Sequence, residues 1–404
     1  MIDSEIRFNF NTPRIVFGRG RINDLRQEVL NILKSRGVLN PKILLVTGST
    51  SLKRSGNLEK IETILKDGAN INLELYDKAG KEPTTTILND GKEFAIESKC
   101  DMIVGIGGGS VMDTAKGIAG LVTNGGIVED YHAGKEFIKP PQPFILIPTT
   151  SGTGSEVTNN SVVKNEITGF KKSIRGLWAS MALLDPELTL SLPKKYTAYS
   201  GADALVQAIE ALVSKSDNFI SDFFSRKSIA YLGDNLPKVC DYLTNIDLRE
   251  KMMLGSILGA ISFANGKLGA VHGFAHPIGI KHELPHGLIC GLLLPHVMKY
   301  NIEVERAAQK YSWIAELFHY QNILVGHGTC PKSLPSSIKG KAEWAINKIE
   351  DIFDYVEIPL KLSKVGIKEA DLDDIVKDTT GSSLANNPRD TNIETLKEIL
   401  MNAL

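Results

Sequence analysis

A short, uninterrupted apolar run that stops at glycine, proline or a hydroxyl residue recurs along the first half of this chain. Arg14-Ile15-Val16-Phe17 ends at Gly18, and Lys42 to Thr47 ends in Gly48-Ser49-Thr50. Asp101 to Ile106 runs into Gly107-Gly108-Gly109-Ser110, and Phe144 to Ile147 ends at Pro148. A strand without polar alternation is buried on both faces, as in a parallel sheet covered by helices. Apolar residues at helical spacing fill Arg21 to Ser35, Leu58 to Leu65, Thr86 to Cys100 and Val111 to Leu121. Ile71 to Tyr76 adds a further strand. The alternation predicts a doubly wound α/β domain over residues 1–187, with ligands beyond the carboxyl ends of its strands.

After Asp185-Pro186-Glu187-Leu188 and Leu192-Pro193 the texture changes. Helical stretches follow at Tyr199 to Val213, Phe219 to Tyr231, Leu248 to Asn265, Leu288 to Tyr300, Val304 to Phe318, Ile338 to Tyr355 and Ile393 to Leu404. Lys332 to Ser337 and Asn386 to Arg389 read as loops. An all-helical domain is expected over 188–404, packed against the first with an active-site cleft between them.

The totals narrow the class. With 404 residues, two or three domains are expected. A net charge of −1 excludes a nucleic acid or membrane surface held by bulk electrostatics. No apolar stretch approaches the ~18 residues of a spanning helix, and the start, Met1 to Phe10, lacks a signal-peptide pattern. Cys100, Cys240, Cys290 and Cys330 form no C-x-x-C and read as reduced thiols. A soluble cytoplasmic protein is expected.

Three loops at the strand ends are candidates for a nucleotide. Gly107-Gly108-Gly109-Ser110 before a helix offers backbone N–H groups to a diphosphate. It is not G-x-G-x-x-G, and it reads equally as a glycine turn closed by a Ser110-x-x-Asp113 capping box. Pro148 to Glu156 carries five hydroxyl side chains, suited to phosphate or ribose oxygens. Thr47 to Arg54 carries hydroxyls with Lys53 and Arg54 and no acid, which suits a 2′-phosphate better than a free ribose, although a solvated turn has the same composition.

Four of the eight histidines, His272, His276, His282 and His286, fall between Val271 and His286. Imidazole ligates transition metals and moves protons near neutral pH. His272 and His276 share one helix face, as do Asp203 and Gln207. Apolar flanks carry Asp203 into a buried surface, where a carboxylate must be paired or bind a metal. As a plain helix charge, Asp203 would need neither. His282, between Lys281 and Glu283, reads as a solvated loop residue, and His296 as a cap or core-edge residue.

Taken together these strings resemble the iron-dependent (group III) alcohol dehydrogenase family of the dehydroquinate synthase-like superfamily. The resemblance runs nearly end to end. It covers Gly18-Arg19-Gly20, Gly107 to Lys116, Pro148 to Glu156, Asp185 to Leu188 and Gly201 to Leu205. It continues through His272 to Pro277, Pro285-His286-Gly287, Leu294 to Met298 and Asn387-Pro388-Arg389. It implies NAD(P)-dependent, metal-assisted hydride transfer between a small alcohol and its aldehyde or ketone, in a homodimer. Gly107, Gly108, Gly109, Ser110 and Asp113 would hold the diphosphate, and Thr149, Thr150, Thr153 and Ser155 would border the nucleotide. Gly48, with Ser49 and Thr50, leans the cofactor toward NADP, with NAD possible. Asp203, Gln207, His272 and His286 fall at the family's metal positions, and His276 at a proton relay. Gln207 stands where the family has histidine, which leaves Fe or Zn, a harder ion such as Mn, or no tight metal open. Cys290 stands where many relatives have asparagine. A metal-free, maleylacetate reductase-like enzyme, a dehydroquinate synthase-like lyase and a non-catalytic nucleotide-binding scaffold are the rival readings.

Overall fold

The computed structural model describes residues 10–68, 70–80, 82–321 and 333–404. The readings that fall on Met1 to Asn9, His327, Cys330 and Lys332 lie outside the described residues. The chain divides into two compact units, Thr12–Leu192 and Pro193–Leu404, the second including the short segment that ends at Asn11.

The first unit contains eight strands among the described residues. They are β1 (Arg14–Phe17), β2 (Lys42–Gly48), β3 (Asn72–Ala79), β4 (Met102–Gly107), β5 (Phe144–Pro148), β6 (Asn160–Lys164), β7 (Lys171–Arg175) and β8 (Met181–Leu184). Its helices are α1 (Leu25–Lys34), α2 (Ser51–Arg54), α3 (Asn57–Lys66), α4 (Thr85–Glu97), α5 (Gly109–Asn124) and α6 (Val128–His132). Six strands form one parallel sheet in the order β1-β8-β5-β4-β2-β3, and β6 and β7 form a separate antiparallel hairpin. The apolar runs behave as two-sided strands do. Ile43, Leu45, Val104, Ile106, Ile145 and Ile147 pack on one face with α1 and α3. Leu44, Val46, Ile103, Phe144 and Leu146 pack on the other with α5. The helix α5 can approach β4 this closely because position 105 is glycine: a Cβ there would lie 2.6 Å from that of Ala115.

From β2 the chain goes to β3 on one side and returns as β4 on the other. The order therefore reverses between β2 and β4, which is where doubly wound sheets bind ligands. At the far edge, the buried Asp185 carboxylate accepts from the backbone N–H groups of Gly20, Ile22 and Glu187. This clamp explains why Gly18-Arg19-Gly20 and Asp185-Pro186-Glu187-Leu188 belong together.

The second unit is helical. Its helices are α7 (Lys194–Val213), α8 (Phe219–Asp241), α9 (Ile246–Gly266), α10 (Ala270–His282), α11 (His286–Asn301), α12 (Glu305–Tyr320), α13 (Ile338–Tyr355), α14 (Leu372–Asp378), α15 (Ser382–Ala385) and α16 (Ile393–Ala403). From Gly201 to Val213 every residue of α7 is buried, so this helix is the axis of the unit's core. Among the described residues no single helix is long and apolar enough to cross a membrane. Cys100, Cys240 and Cys290 are free and buried.

Candidate metal centre and nucleotide loops

A buried helix such as α7 is apolar all round except where polar groups meet partners. Its exceptions are Asp203, Gln207 and Glu210, at successive turns of one face and 2%, 4% and 3% exposed. That face meets α10 and α11. Two prolines and a tight turn shape these two helices. Pro277 and Pro295 lie inside α10 and α11, and Glu283 takes a left-handed conformation (φ 52°) before Pro285 opens α11. The reversal places His286, the first residue of α11, beside His272 of α10, with ring centroids 5.4 Å apart.

The Asp203 Oδ1 atom lies 3.6 Å from His272 Nε2 and 3.6 Å from His286 Nε2. Cys290, one turn along α11 from His286, brings its Sγ to 3.5 Å from His286 Nε2 and 4.0 Å from His272 Nε2. One donor atom from each of Asp203, His272, His286 and Cys290 falls within 4.8 Å of the other three. Gln207 donates its amide N–H to Asp203 Oδ2 at 3.1 Å. Asp203 Oδ1 and Gln207 Oε1 are buried without a hydrogen-bond partner. Bonds of about 2.0–2.3 Å at tetrahedral angles would hold ligand atoms about 3.3–3.6 Å apart. The donor types, the spacing and the orphaned oxygens all fit a divalent ion.

Glu210 completes the arrangement from behind. Its Oε2 lies 2.6 Å from His272 Nδ1, and its Oε1 accepts the Val271 N–H at 2.7 Å. A carboxylate on one ring nitrogen fixes the tautomer and turns the other nitrogen toward a metal. Burial opposes a charged His272 ring, but the neighbouring Cys290 sulfur, then the Asp203 and Glu210 carboxylates, outweigh it and hold its pKa well above the usual imidazole value. Burial likewise opposes the Asp203 carboxylate, and His286 and His272 hold it below the usual carboxylate range. Burial pushes the Cys290 thiol up to about 12. Glu210→Gln is expected to weaken metal binding about 10- to 100-fold while the fold is kept, as read by chelator competition. Unchanged affinity would show that other contacts orient the ring.

His276 lies one turn beyond His272, half-buried, with its ring centroid 5.8 Å from that of His286. His282 departs from its reading as a solvated loop residue. It ends α10 half-buried, with Nε2 lacking a hydrogen-bond partner. His296 bonds the Leu360 carbonyl at 2.9 Å, as a core-edge residue does.

Two of the strings that carry the resemblance also serve the helical core. Phe274 is fully buried in the helical core. Asn387, 1% exposed, exchanges hydrogen bonds with Asn301 and accepts the Ala270 N–H, while Arg389 donates to the Tyr300 carbonyl. Asn387-Pro388-Arg389 thus anchors the start of α10 rather than lining an open surface.

In the α/β unit the three candidate loops leave the adjacent strands β2, β4 and β5. Gly108 is the N-cap of α5, and no side chain caps this end. The capping box Ser110-x-x-Asp113 does not form. Asp113 instead accepts from Ser155 Oγ at 2.5 Å and Val162 N at 2.9 Å, and pairs with the fully buried Lys116 at 3.2 Å. Asp113 and Ser155 therefore tie the hydroxyl-rich loop and β6 to α5. A Cβ on Gly109 would meet Thr153 Cγ2 at 2.7 Å, and one on Gly108 would meet Thr150 at 3.7 Å, so the glycine and hydroxyl loops are in contact. The Thr149 N–H donates to the Gly107 carbonyl. Gly108, Gly109, Ser110, Thr149, Thr150 and Thr153 are half-buried, and Ser49 and Thr50 are exposed beyond Gly48. Lys53 of the third loop is paired with Asp77 at 2.6 Å.

Glu156, which ends the hydroxyl loop, is 3% exposed, and burial raises its carboxyl pKa to about 7. A raised folded-state value means that its stabilising contribution is full below the unfolded value of 4.5 and is lost as pH rises through about 7. Glu156→Gln is expected to match the native protein at pH 4 and to exceed it by up to about 3 kcal/mol at pH 8, in urea unfolding at both pH values.

Comparison with known proteins gives the family. The sequence profile described as iron-containing alcohol dehydrogenase matches residues 12–186, and that of the C-terminal part of the Fe-containing alcohol dehydrogenase family matches residues 197–404. The chain belongs to the iron-containing alcohol dehydrogenase family, and it is an oxidoreductase. It is 31% identical to the NAD-dependent methanol dehydrogenase of Bacillus methanolicus, over 98% of this chain and 99% of that protein. It is 34% identical to the 1,3-propanediol dehydrogenase of Citrobacter freundii, over 90% and 91% of the two chains. A crystal structure of 1,3-propanediol oxidoreductase matches with a TM-score of 0.89 at 31% identity, covering 98% of this chain and 100% of the other.

Sequence reasoning reached Asp203, Gln207, His272 and His286 but assigned no role to Glu210 or Cys290. The signal was present in the spacing. Glu210 is seven residues from Asp203, and Cys290 four from His286, so each shares its neighbour's helix face.

Proposed function

We propose that the protein interconverts small alcohols and their aldehydes or ketones by hydride transfer with a nicotinamide cofactor, assisted by one divalent metal ion. The observation that carries this reading is the group of buried Asp203 and His272 with the more exposed His286, whose donors face one another around an orphaned carboxylate oxygen. Gln207 holds Asp203 in place and has a free amide oxygen as a further donor. Iron or zinc suits these donors, and the amide oxygen also admits manganese. An ion held there supplies Lewis-acid polarisation of a carbonyl and stabilises negative charge on its oxygen.

The chain's own residues do the rest. Gly107, Gly108, Gly109 and Ser110 lie at the start of α5, whose N-terminal dipole favours a diphosphate. Thr149, Thr150 and Thr153 border the nucleotide, and Asp113 and Ser155 hold that border in place. Ser49 and Thr50, in a loop without an acid, favour NADP over NAD. His276 supplies the proton to the alkoxide during reduction and removes it during oxidation, as a positioned imidazole does near neutral pH.

The test is direct. Purified protein is assayed for bound metal by elemental analysis and for oxidation of NADPH and NADH with a panel of small aldehydes. Metal near one equivalent, and turnover that chelation removes, is the expected result. Full activity after chelation would select a metal-free reductase. Cofactor binding without turnover of any aldehyde would select a non-catalytic scaffold.

A further inference from the structure

We infer that Cys290 is a sulfur ligand of the metal ion held by Asp203, His272 and His286. The inference rests on the metal-site reading above and extends it to a donor that reading does not use. Cys290 is fully buried, yet its sulfur faces two imidazole nitrogens at 3.5 and 4.0 Å rather than an apolar wall. Cys100 and Cys240 are also buried, but among the described residues neither belongs to such a donor group.

A lone buried thiol would say little. The second observation is the carboxylate opposite it: Asp203, 2% exposed, has Oδ1 within 3.6 Å of both rings and no hydrogen-bond partner. Four atoms, one carboxylate oxygen, two Nε2 and one sulfur, lie within 4.8 Å of one another. The 3.5 and 3.6 Å separations match the edges of a tetrahedron with metal–nitrogen bonds of about 2.0 Å and a metal–sulfur bond of about 2.3 Å, and the 4.0 Å from the sulfur to His272 Nε2 is a few tenths of an ångström longer.

The arrangement also gives Gln207 a different task. Its amide N–H is committed to Asp203 Oδ2, which steadies the carboxylate while its other oxygen ligates. The neutral amide oxygen is a weak donor. The sulfur, reaching from the next helix, takes the fourth place. As the sulfur–metal bond forms, the thiol proton leaves to solvent. A thiolate makes the donor set softer, which favours zinc, or iron(II), over manganese and magnesium.

The experiment uses the full-length protein, stripped with a chelator and reloaded with cobalt(II), and separately with zinc. The expected result is a near-ultraviolet thiolate-to-cobalt charge-transfer band in the native protein. It disappears in Cys290→Ser and Cys290→Ala, although Cys100, Cys240 and Cys330 remain. X-ray absorption at the zinc edge should show a sulfur neighbour at about 2.3 Å. In dialysis against equal zinc and manganese, the serine variant should lose at least about tenfold in zinc preference. The native spectrum alone decides the matter if a variant misfolds, and circular dichroism detects that case. One equivalent of metal with only nitrogen and oxygen neighbours would overturn the role of Cys290 and leave the metal site standing. Failure to bind any metal stoichiometrically would overturn both.

Discussion

Replacing His272 with alanine is expected to remove bound metal and to lower kcat/KM roughly a thousandfold. The ring touches every part of the group. Its Nε2 lies 3.6 Å from Asp203 Oδ1, its Nδ1 is held by Glu210 at 2.6 Å, and its centroid is 5.4 Å from that of His286. A bound ion contributes several kcal/mol of transition-state stabilisation, and each 1.36 kcal/mol is tenfold in rate. The variant keeps its glycine loop, so cofactor affinity should be unchanged, and this separates loss of the metal from loss of the fold. The checks are elemental analysis and steady-state aldehyde reduction. A variant that retains one equivalent of metal and near-native activity would falsify the assignment.

The same residue sets a pH dependence. In the metal-free protein Cys290 and the Asp203 and Glu210 carboxylates hold a proton on His272 above the usual imidazole range, so metal and proton compete for one nitrogen. Metal affinity should therefore fall with falling pH, by about tenfold per unit for each proton displaced.

The second large effect lies at a glycine. A Cβ on Gly287 would lie 2.1 Å from the Tyr199 carbonyl oxygen and 3.3 Å from Asp203 Cβ. The first atom is backbone and cannot swing aside. Gly287→Ala should therefore push α11 away from α7 and destabilise the protein by about 3 kcal/mol or more. His286 and Cys290 ride on α11, so metal affinity should fall with it. Gly273 of α10 is the control, because a Cβ there meets nothing closer than 3.5 Å. Gly273→Ala should be neutral or stabilising by up to about 1 kcal/mol. Urea unfolding of both variants in the presence of chelator checks the pair.

The parallel sheet was legible because β2, β4 and β5 are buried on both faces and their central residues, Ile43 to Val46, Met102 to Ile106 and Phe144 to Ile147, include no polar side chain to confuse the pattern. The hairpin of β6 and β7 was not. Lys171-Lys172-Ser173-Ile174-Arg175 buries one side chain, Ile174, and resembles a surface loop. The four residues of β8 are too short to stand out beside Asp185. In the candidate site, residue type and i, i+4 spacing were enough to single out Asp203 and the histidines. Glu210 was hidden because, seven residues from Asp203 near the end of α7, it has no i, i+4 partner of a metal-ligating type. Cys290 was hidden because a cysteine among Leu288, Ile289 and Leu292 reads as an ordinary core residue, even four residues from His286. Gln207 shows a further limit: its identity was plain, but that its amide nitrogen serves Asp203 depends on coordinates.

The pairing of β1 with β8 bears on how the protein is made. Arg14 aligns with Met181, and the Asp185 clamp reaches back 165 residues to Gly20. As the chain leaves the ribosome, β1 emerges first and its sheet partner last. Its edge must wait, unpaired, through the synthesis of the whole first unit. Non-local pairings of this kind slow folding and leave strand edges exposed meanwhile. The brevity of β1, four residues of which Arg14 and Ile15 are exposed, limits what that waiting edge can capture.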